Sequence, residues 1–307
     1  MTLAVIMAIT ASFLWSITNH IDKFMVSGID ESASSIKTLL VFSTLITGIV
    51  LSPIWLIVNN FSVGISTISL ICVLSASLVY IISTYFYFKA LDKNDASIVI
   101  VMFQLIPVFS YILTLIFFKE SLTVNQFIGS IIIMLSAILI SIDFEEKNNK
   151  SKKIALILMT SSSFFFALHY FLFDIAMRDS SYNSCAFWFQ IGFLILGIIL
   201  ISIKSFRETF IKAVKTNGKR YISLNVVSRA LSLSGNLLVN YANLIIPLAL
   251  ANVLNGFQGA FVFILGILGV KLLPKYFKEN LNKRVVIQKI VCIILSIIGL
   301  VVIFIGK

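Results

Sequence analysis

Ten apolar runs of spanning length, joined by short polar links, leave this chain few folds to choose from. They cover about residues 3–22, 34–57, 66–88, 95–118, 123–142, 153–177, 183–203, 221–245, 248–271 and 284–306. A helix crosses the hydrocarbon core of a bilayer with ~20 apolar residues, and all its backbone groups are bonded within the helix. The chain is 59% hydrophobic and only 12% charged, where a soluble domain has roughly 45–50% and 25%. An all-α protein of ten transmembrane helices is therefore predicted, with no sequence left over for a water-exposed catalytic domain. Residues 1–21 lack a basic n-region and already have spanning length, so they read as a first span rather than a cleaved signal. The expected setting is the cell (inner) membrane, multi-pass.

The two halves of the chain are related. At an offset of 151, Ala4, Ser12 and Phe13 meet Ala155, Ser163 and Phe164; at 152, Ala90, Phe109, Leu113 and Lys119 meet Ala242, Phe261, Leu265 and Lys271. The ten residues LPKYFKENLN then move the offset to 162, where Val124, Gln126 and Ile128 meet Val286, Gln288 and Ile290. This series divides the chain into five-helix repeats at 1–146 and 151–307. Five is odd, so the second repeat enters the membrane upside down. Inverted repeats around a central cavity, with a substrate site near midplane, are a recurring build of secondary transporters.

The links set orientation and partners. Of the basic residues, 20 lie on the side of the odd-numbered links and 3 on the other (Lys119, Arg178, Lys307). Basic links stay in the cytoplasm, which puts both termini outside. The net charge of +11 thus points to anionic lipid headgroups and not to nucleic acid. The longest link, 204–220, has basic and apolar residues at helical spacing and is expected to lie on the membrane surface. Cys72, Cys185 and Cys292 sit in apolar runs without metal-ligand spacing and read as packing residues.

Candidate site residues stand out as polar side chains inside apolar helices. In span 8, Asn225, Arg229, Ser232, Asn236, Asn240 and Asn243 recur every three or four positions, one helical face. Arg229 lies about ten residues in, some ~15 Å at ~1.5 Å per residue. An intramembrane ionisable group facing a bundle interior marks a binding site or pathway by default; a structural arginine bonded to carbonyls or a carboxylate is the alternative. At the repeat offset of 152, Arg229, Ser232 and Asn236 correspond to Ser77, Tyr80 and Thr84, a milder stripe on span 3. Span 1 groups Trp15, Ser16 and Asn19, with His20, Asp22 and Lys23 near its end as a solvated cluster. Span 6 carries Phe166 and His169, which is either a substrate or proton-coupling group or a neutral core histidine. Gln104 on span 4 and Asn255 on span 9 add amides. All thirteen acidic residues fall in links or near span ends, leaving Arg229 as the one deep charge. That favours an anionic or zwitterionic substrate whose carboxylate pairs with the guanidinium.

Neither a GxxxxGK[ST] nucleotide loop nor an HExxH or GxSxG motif occurs, so an ATP-driven pump or an intramembrane hydrolase lacks its parts. No cofactor and no metal are expected; the partners are a small-molecule substrate, the bilayer and a coupling ion such as a proton, for a monomer or homodimer.

With WSITN in span 1, KALDKNDASIVIVMFQLIPVFSYIL from span 3 into span 4, and FFKESLTVNQFIG between spans 4 and 5, the chain resembles the EamA-type, ten-helix members of the drug/metabolite transporter superfamily over essentially its whole length. In the second repeat Gly259 stands at the proline position and Lys271 is followed by LLP without a glutamate. Alternating access follows from the inverted repeats. The resemblance implies a central cavity lined by spans 1, 3, 4, 6, 8 and 9, outward movement of small metabolites such as amino acids, and both termini in the cytoplasm, opposite to the charge count. It projects Trp15, Asn19, Tyr80, Gln104, His169, Arg229 and Asn236 onto the cavity lining. Export of cationic or neutral amphipathic compounds, and a non-transporting scaffold or lipid-binding subunit, stand as the other readings.

Overall fold

The computed structural model describes residues 2–27, 36–118, 123–142, 149–243, 245–246, 254–274, 277 and 279–304. Helix is the regular structure throughout these residues: α1 (Thr2–Ser27), α2 (Ile36–Val58), α3 (Thr67–Lys93), α4 (Ala96–Phe103), α5 (Leu105–Phe118), α6 (Val124–Ser141), α7 (Asn149–Asp179), α8 (Tyr182–Ser202), α9 (Lys204–Asn243), α10 (Gln258–Leu272) and α11 (Lys283–Phe304). Among the described residues, nine spans are long and apolar enough to cross a membrane, with α4 and α5 together forming one of them; α10 is a shorter apolar helix. The chain is a ten-helix membrane protein. Its helix starts are set locally: Ser66 and Ser181 accept from the amides three residues on, and Thr123 with Gln126 closes a reciprocal capping box.

Two spans are broken at matching places. Span 4 interrupts at Gln104, whose N–H falls back to Val101 O at 3.2 Å. Pro107 has no N–H to offer the carbonyl of Phe103 and its ring crowds that turn, which is what parts α4 from α5. In the other half a turn at Gly256–Phe257 precedes α10, and Phe257 N–H reaches Leu254 O at 3.2 Å. Gln104 and Gly256 are equivalent at the 152-residue offset.

Helix pairing has the same symmetry. The most extensive contacts are α3 with α7 and α1 with α9, followed by α6 with α11 and α2 with α8. Exchanging the halves turns the first pair into the second and returns each of the last two to itself. Small and hydroxyl side chains let the backbones approach: Ser83 and Ser162 each donate to the other's carbonyl, at 2.7 and 3.0 Å. Where α6 crosses α11, a Cβ on Gly129 would sit 2.6 Å from Gly299 O. Large apolar side chains such as Ile57, Ile68, Phe127, Ile157 and Ile294 face outward, as a hydrocarbon solvent allows.

The 204–220 link differs from expectation. It is the first half of α9, continuous with span 8 over 40 residues, and not a separate helix lying on the surface. Phe210 packs 4.7 Å from Phe42, and Lys37 lies 5.6 Å above the Phe206 ring. This apolar edge holds the outer half of α9 along α2, and no proline interrupts the helix between them.

Candidate substrate site

The site forms where α1 passes between α9 and α10, beside α3, α4 and α7. A ladder ties α1 to α10: Ser12 and Ser16 donate to Leu254 O (3.3 Å) and Gln258 O (3.2 Å), and His20 Nε2 bonds Val262 O at 2.8 Å. The constant sequence separation of 242 at four-residue steps means one face of α1 runs parallel to α10. On its other side α1 meets α9: Trp15 Nε1 donates to Ser232 O at 3.3 Å and Thr18 to Ser228 O at 3.4 Å. Gly235 admits the Trp15 indole, since a Cβ there would come within 2.6 Å of Nε1.

One turn further, Arg229 meets Asp22. Its Nη2 donates to Asp22 Oδ1 at 3.0 Å and Oδ2 at 3.3 Å, and Ser228 Oγ donates to Oδ1 at 2.9 Å. The side chains are 17% and 5% exposed. This corrects two expectations. Arg229 is not the one deep charge, and His20, Asp22 and Lys23 are not a solvated cluster. α1 continues to Ser27, so Asp22 lies about one and a half turns inside its end. His20 and Asp22 are buried. Lys23 donates to Leu91 O at 2.6 Å and Asp92 O at 3.2 Å, capping the carbonyl end of α3 where a cation is favoured.

From this ion pair an aromatic wall extends. Tyr87 OH donates to Asn19 Oδ1 at 3.1 Å, and Tyr87, Phe103, Phe166 and Tyr80 follow one another with ring centroids 5.1, 5.3 and 5.1 Å apart. His169 closes the series 5.2 Å from Tyr80, also flanked by Tyr170 and Phe189. Several buried polar atoms here have no hydrogen-bond partner: Asn19 Nδ2, Arg229 Nε, His169 Nδ1 and, at the broken span 9, Asn255 Oδ1. Buried polar groups are normally bonded, so these are the places a polar ligand would satisfy.

Most residues singled out in the sequence thus come together: Trp15, Asn19, Tyr80, Phe166, His169, Arg229 and Ser232 are linked by the contacts above. Gln104 sits at the break in span 4, half-buried. Asn236 is exposed, and the side chain of Asn240 lies outside the described set, as does that of Asn243. Missed were Asp22, Tyr87 and Phe103, together with a second buried cluster of Lys289, Asp95 and Glu279. For Glu279 a signal existed: KENL at 278–281 repeats KESL at 119–122.

Residues 2–142 match the model of the EamA-like transporter family. A stretch of 98 residues is 38% identical to an uncharacterized protein of Methanocaldococcus jannaschii, covering 32% of this chain and 71% of that one. The chain belongs to the EamA-like transporter family. As an EamA-like transporter it is a multi-pass membrane protein with a transport role, and the Asp22–Arg229 pair lies where α1 and α9, from opposite halves of that transporter, meet.

Proposed function

We propose that this transporter is a secondary-active carrier working by alternating access, with residues 1–146 and 151–307 as inverted repeats, and that its substrate is a small zwitterion of the amino-acid class. The Asp22–Arg229 pair carries the reading. A substrate carboxylate entering on Arg229 displaces Asp22, and the freed carboxylate then needs a cation. An ammonium on the same substrate supplies it, so two ion pairs replace one and no buried charge is left alone. A simple anion would strand Asp22 and a simple cation would strand Arg229, each at about 3–5 kcal/mol. Asn19 Nδ2 and Arg229 Nε are the unmet donors beside the pair, and Tyr80, Phe103 and Phe166 shape the apolar side. The broken spans 4 and 9 fit a midplane site of this kind, and outward transport is the direction that the family resemblance implies.

A second reading has its own support. The aromatic series and a buried carboxylate suit an amphipathic cation held by cation–π contact. Counterflow in proteoliposomes separates the two. Neutral amino acids are expected to compete and quaternary amines to be inert; the reverse order of competition would replace the first reading with the second. The Asp22→Asn/Arg229→Gln double variant, which leaves no lone charge, is expected to lose transport at least 100-fold while staying folded.

A further inference from the structure

Two described residues of the insertion that distinguishes the second half, Phe277 and Glu279, turn into the bundle. The Phe277 ring lies tilted against the His20 ring of α1, centroids 5.0 Å apart, and covers Gly269, where a Cβ would run into it. Two residues on, Glu279 enters the bundle above Gly266, whose Cβ would stand 3.2 Å from the carboxyl. Its Oε1 accepts from Ser97 and, at 2.8 Å, from Lys289 Nζ. The ammonium also donates to Asp95 Oδ2 at 2.6 Å and Asn280 O at 3.3 Å, so its three hydrogens are all used. Asn280 N–H donates to the same Asp95 oxygen at 3.1 Å. Lys289 is 0% exposed, Glu279 2% and Asp95 21%. All of this lies at the basic face, where α1 ends and α4 and α11 begin. The cluster holds two carboxylates and one ammonium, a net negative charge that burial opposes.

We propose that the Glu279–Asp95–Lys289 cluster is a proton-binding site that couples protonation to seating: Phe277 and Glu279 pack into the basic face of the bundle with Glu279 protonated, and Glu279 releases that proton as they leave. A role for this seating in transport rests on the carrier reading; the proton site does not. Removal from water, and then the Asp95 charge beside it, push the Glu279 carboxyl up to about 7, against the opposing pull of Lys289 and the Ser97 hydroxyl. The described charged or titratable groups around it are Lys289 from α11, Asp95 from the start of α4, and His20 of α1 behind Phe277. With the insertion unseated, Glu279 returns to the ordinary ~4.3. The seated state therefore binds more protons between these values. Seating is complete below the lower one and weakens as pH rises through about 7.

Hydrogen exchange of the purified full-length protein in nanodiscs, followed by mass spectrometry from pH 5.5 to 8.5, tests this. After correction for intrinsic rates, the opening of peptides that cover Phe277 and Glu279 is expected to rise about tenfold per pH unit from pH 5.5 towards 7, the slope of one proton, and to level off above about 7. Glu279→Gln, which keeps the Lys289–Asp95 pair, should remain protected at every pH. Asp95→Asn should move the wild-type rise to a different pH by removing the neighbouring charge. A flat wild-type profile, or opening that increases as pH falls, overturns the proposal, and neither observation depends on a variant folding. Proteoliposome transport read alongside keeps the two ideas apart: pH-dependent opening without transport of any tested solute counts against the carrier, and transport with a flat profile counts against the proton site.

Discussion

At the scale of single residues, the decisive pairing is one that the chain conceals by distance. Asp22 and Arg229 are 207 positions apart. Span 1 read as ending at residue 22 puts the carboxylate at the surface, whereas the real helix runs five residues further. Helical side chains also lean toward the helix start, so Arg229 reaches back toward the basic face from which Asp22 enters. Depth alone therefore made the arginine look solitary. The pairing changes what mutation should do. Arg229→Gln leaves Asp22 buried without its cation, and Asp22→Asn leaves a lone guanidinium; each is expected to lower stability by about 3–5 kcal/mol. The double variant should recover most of that loss. Thermal unfolding in detergent, read as a double-mutant cycle, measures the coupling. Additive single effects would mean the two groups do not share an ion pair.

At the scale of elements, what the sequence made legible was periodicity, and what it hid was polar segments that fold inward. Apolar runs gave the positions of the spans, and Asn19, Tyr80 and His169 stood out as polar groups on apolar helices, with Trp15 and Phe166 as large aromatics beside them. The insertion showed only as a shift of the repeat offset, with four of its ten residues Lys, Glu or Pro. The bare face of Gly266 and Gly269 is what admits its Glu279 and Phe277. The helix crossings are equally dependent on missing side chains. Gly129→Leu is expected to force α6 away from Gly299 O and Ile303, which a Cβ would meet at 2.6 Å, costing about 1–3 kcal/mol. Gly64→Ala, with nothing within 4 Å of its Cβ, should leave melting unchanged and serves as the control. Equal shifts from both would place the strain somewhere other than the α6–α11 crossing.

At the scale of the whole molecule, ten spans bring both termini to one face and the basic links to the other. The asymmetry of 20 to 3 comes from links short enough for each to weigh in orientation. Lys289, counted among the 20, is buried in the ion cluster, yet its loss from the tally leaves the bias intact. The charges and the habit implied by the resemblance point opposite ways, and physics favours the charges: moving a lysine through the membrane is costly, and many would have to cross. Alkaline phosphatase fused after Lys307 is accordingly expected to be active and a fluorescent-protein fusion dark. A bright fluorescent fusion with silent phosphatase would place the basic face outside. That outcome would also assign the proposed Glu279 proton site to the opposite compartment, so that acidity outside the cell, rather than within it, would hold Glu279 seated. The fusion pair thus fixes which compartment's protons reach the cluster, and with it the direction in which a proton gradient could drive substrate.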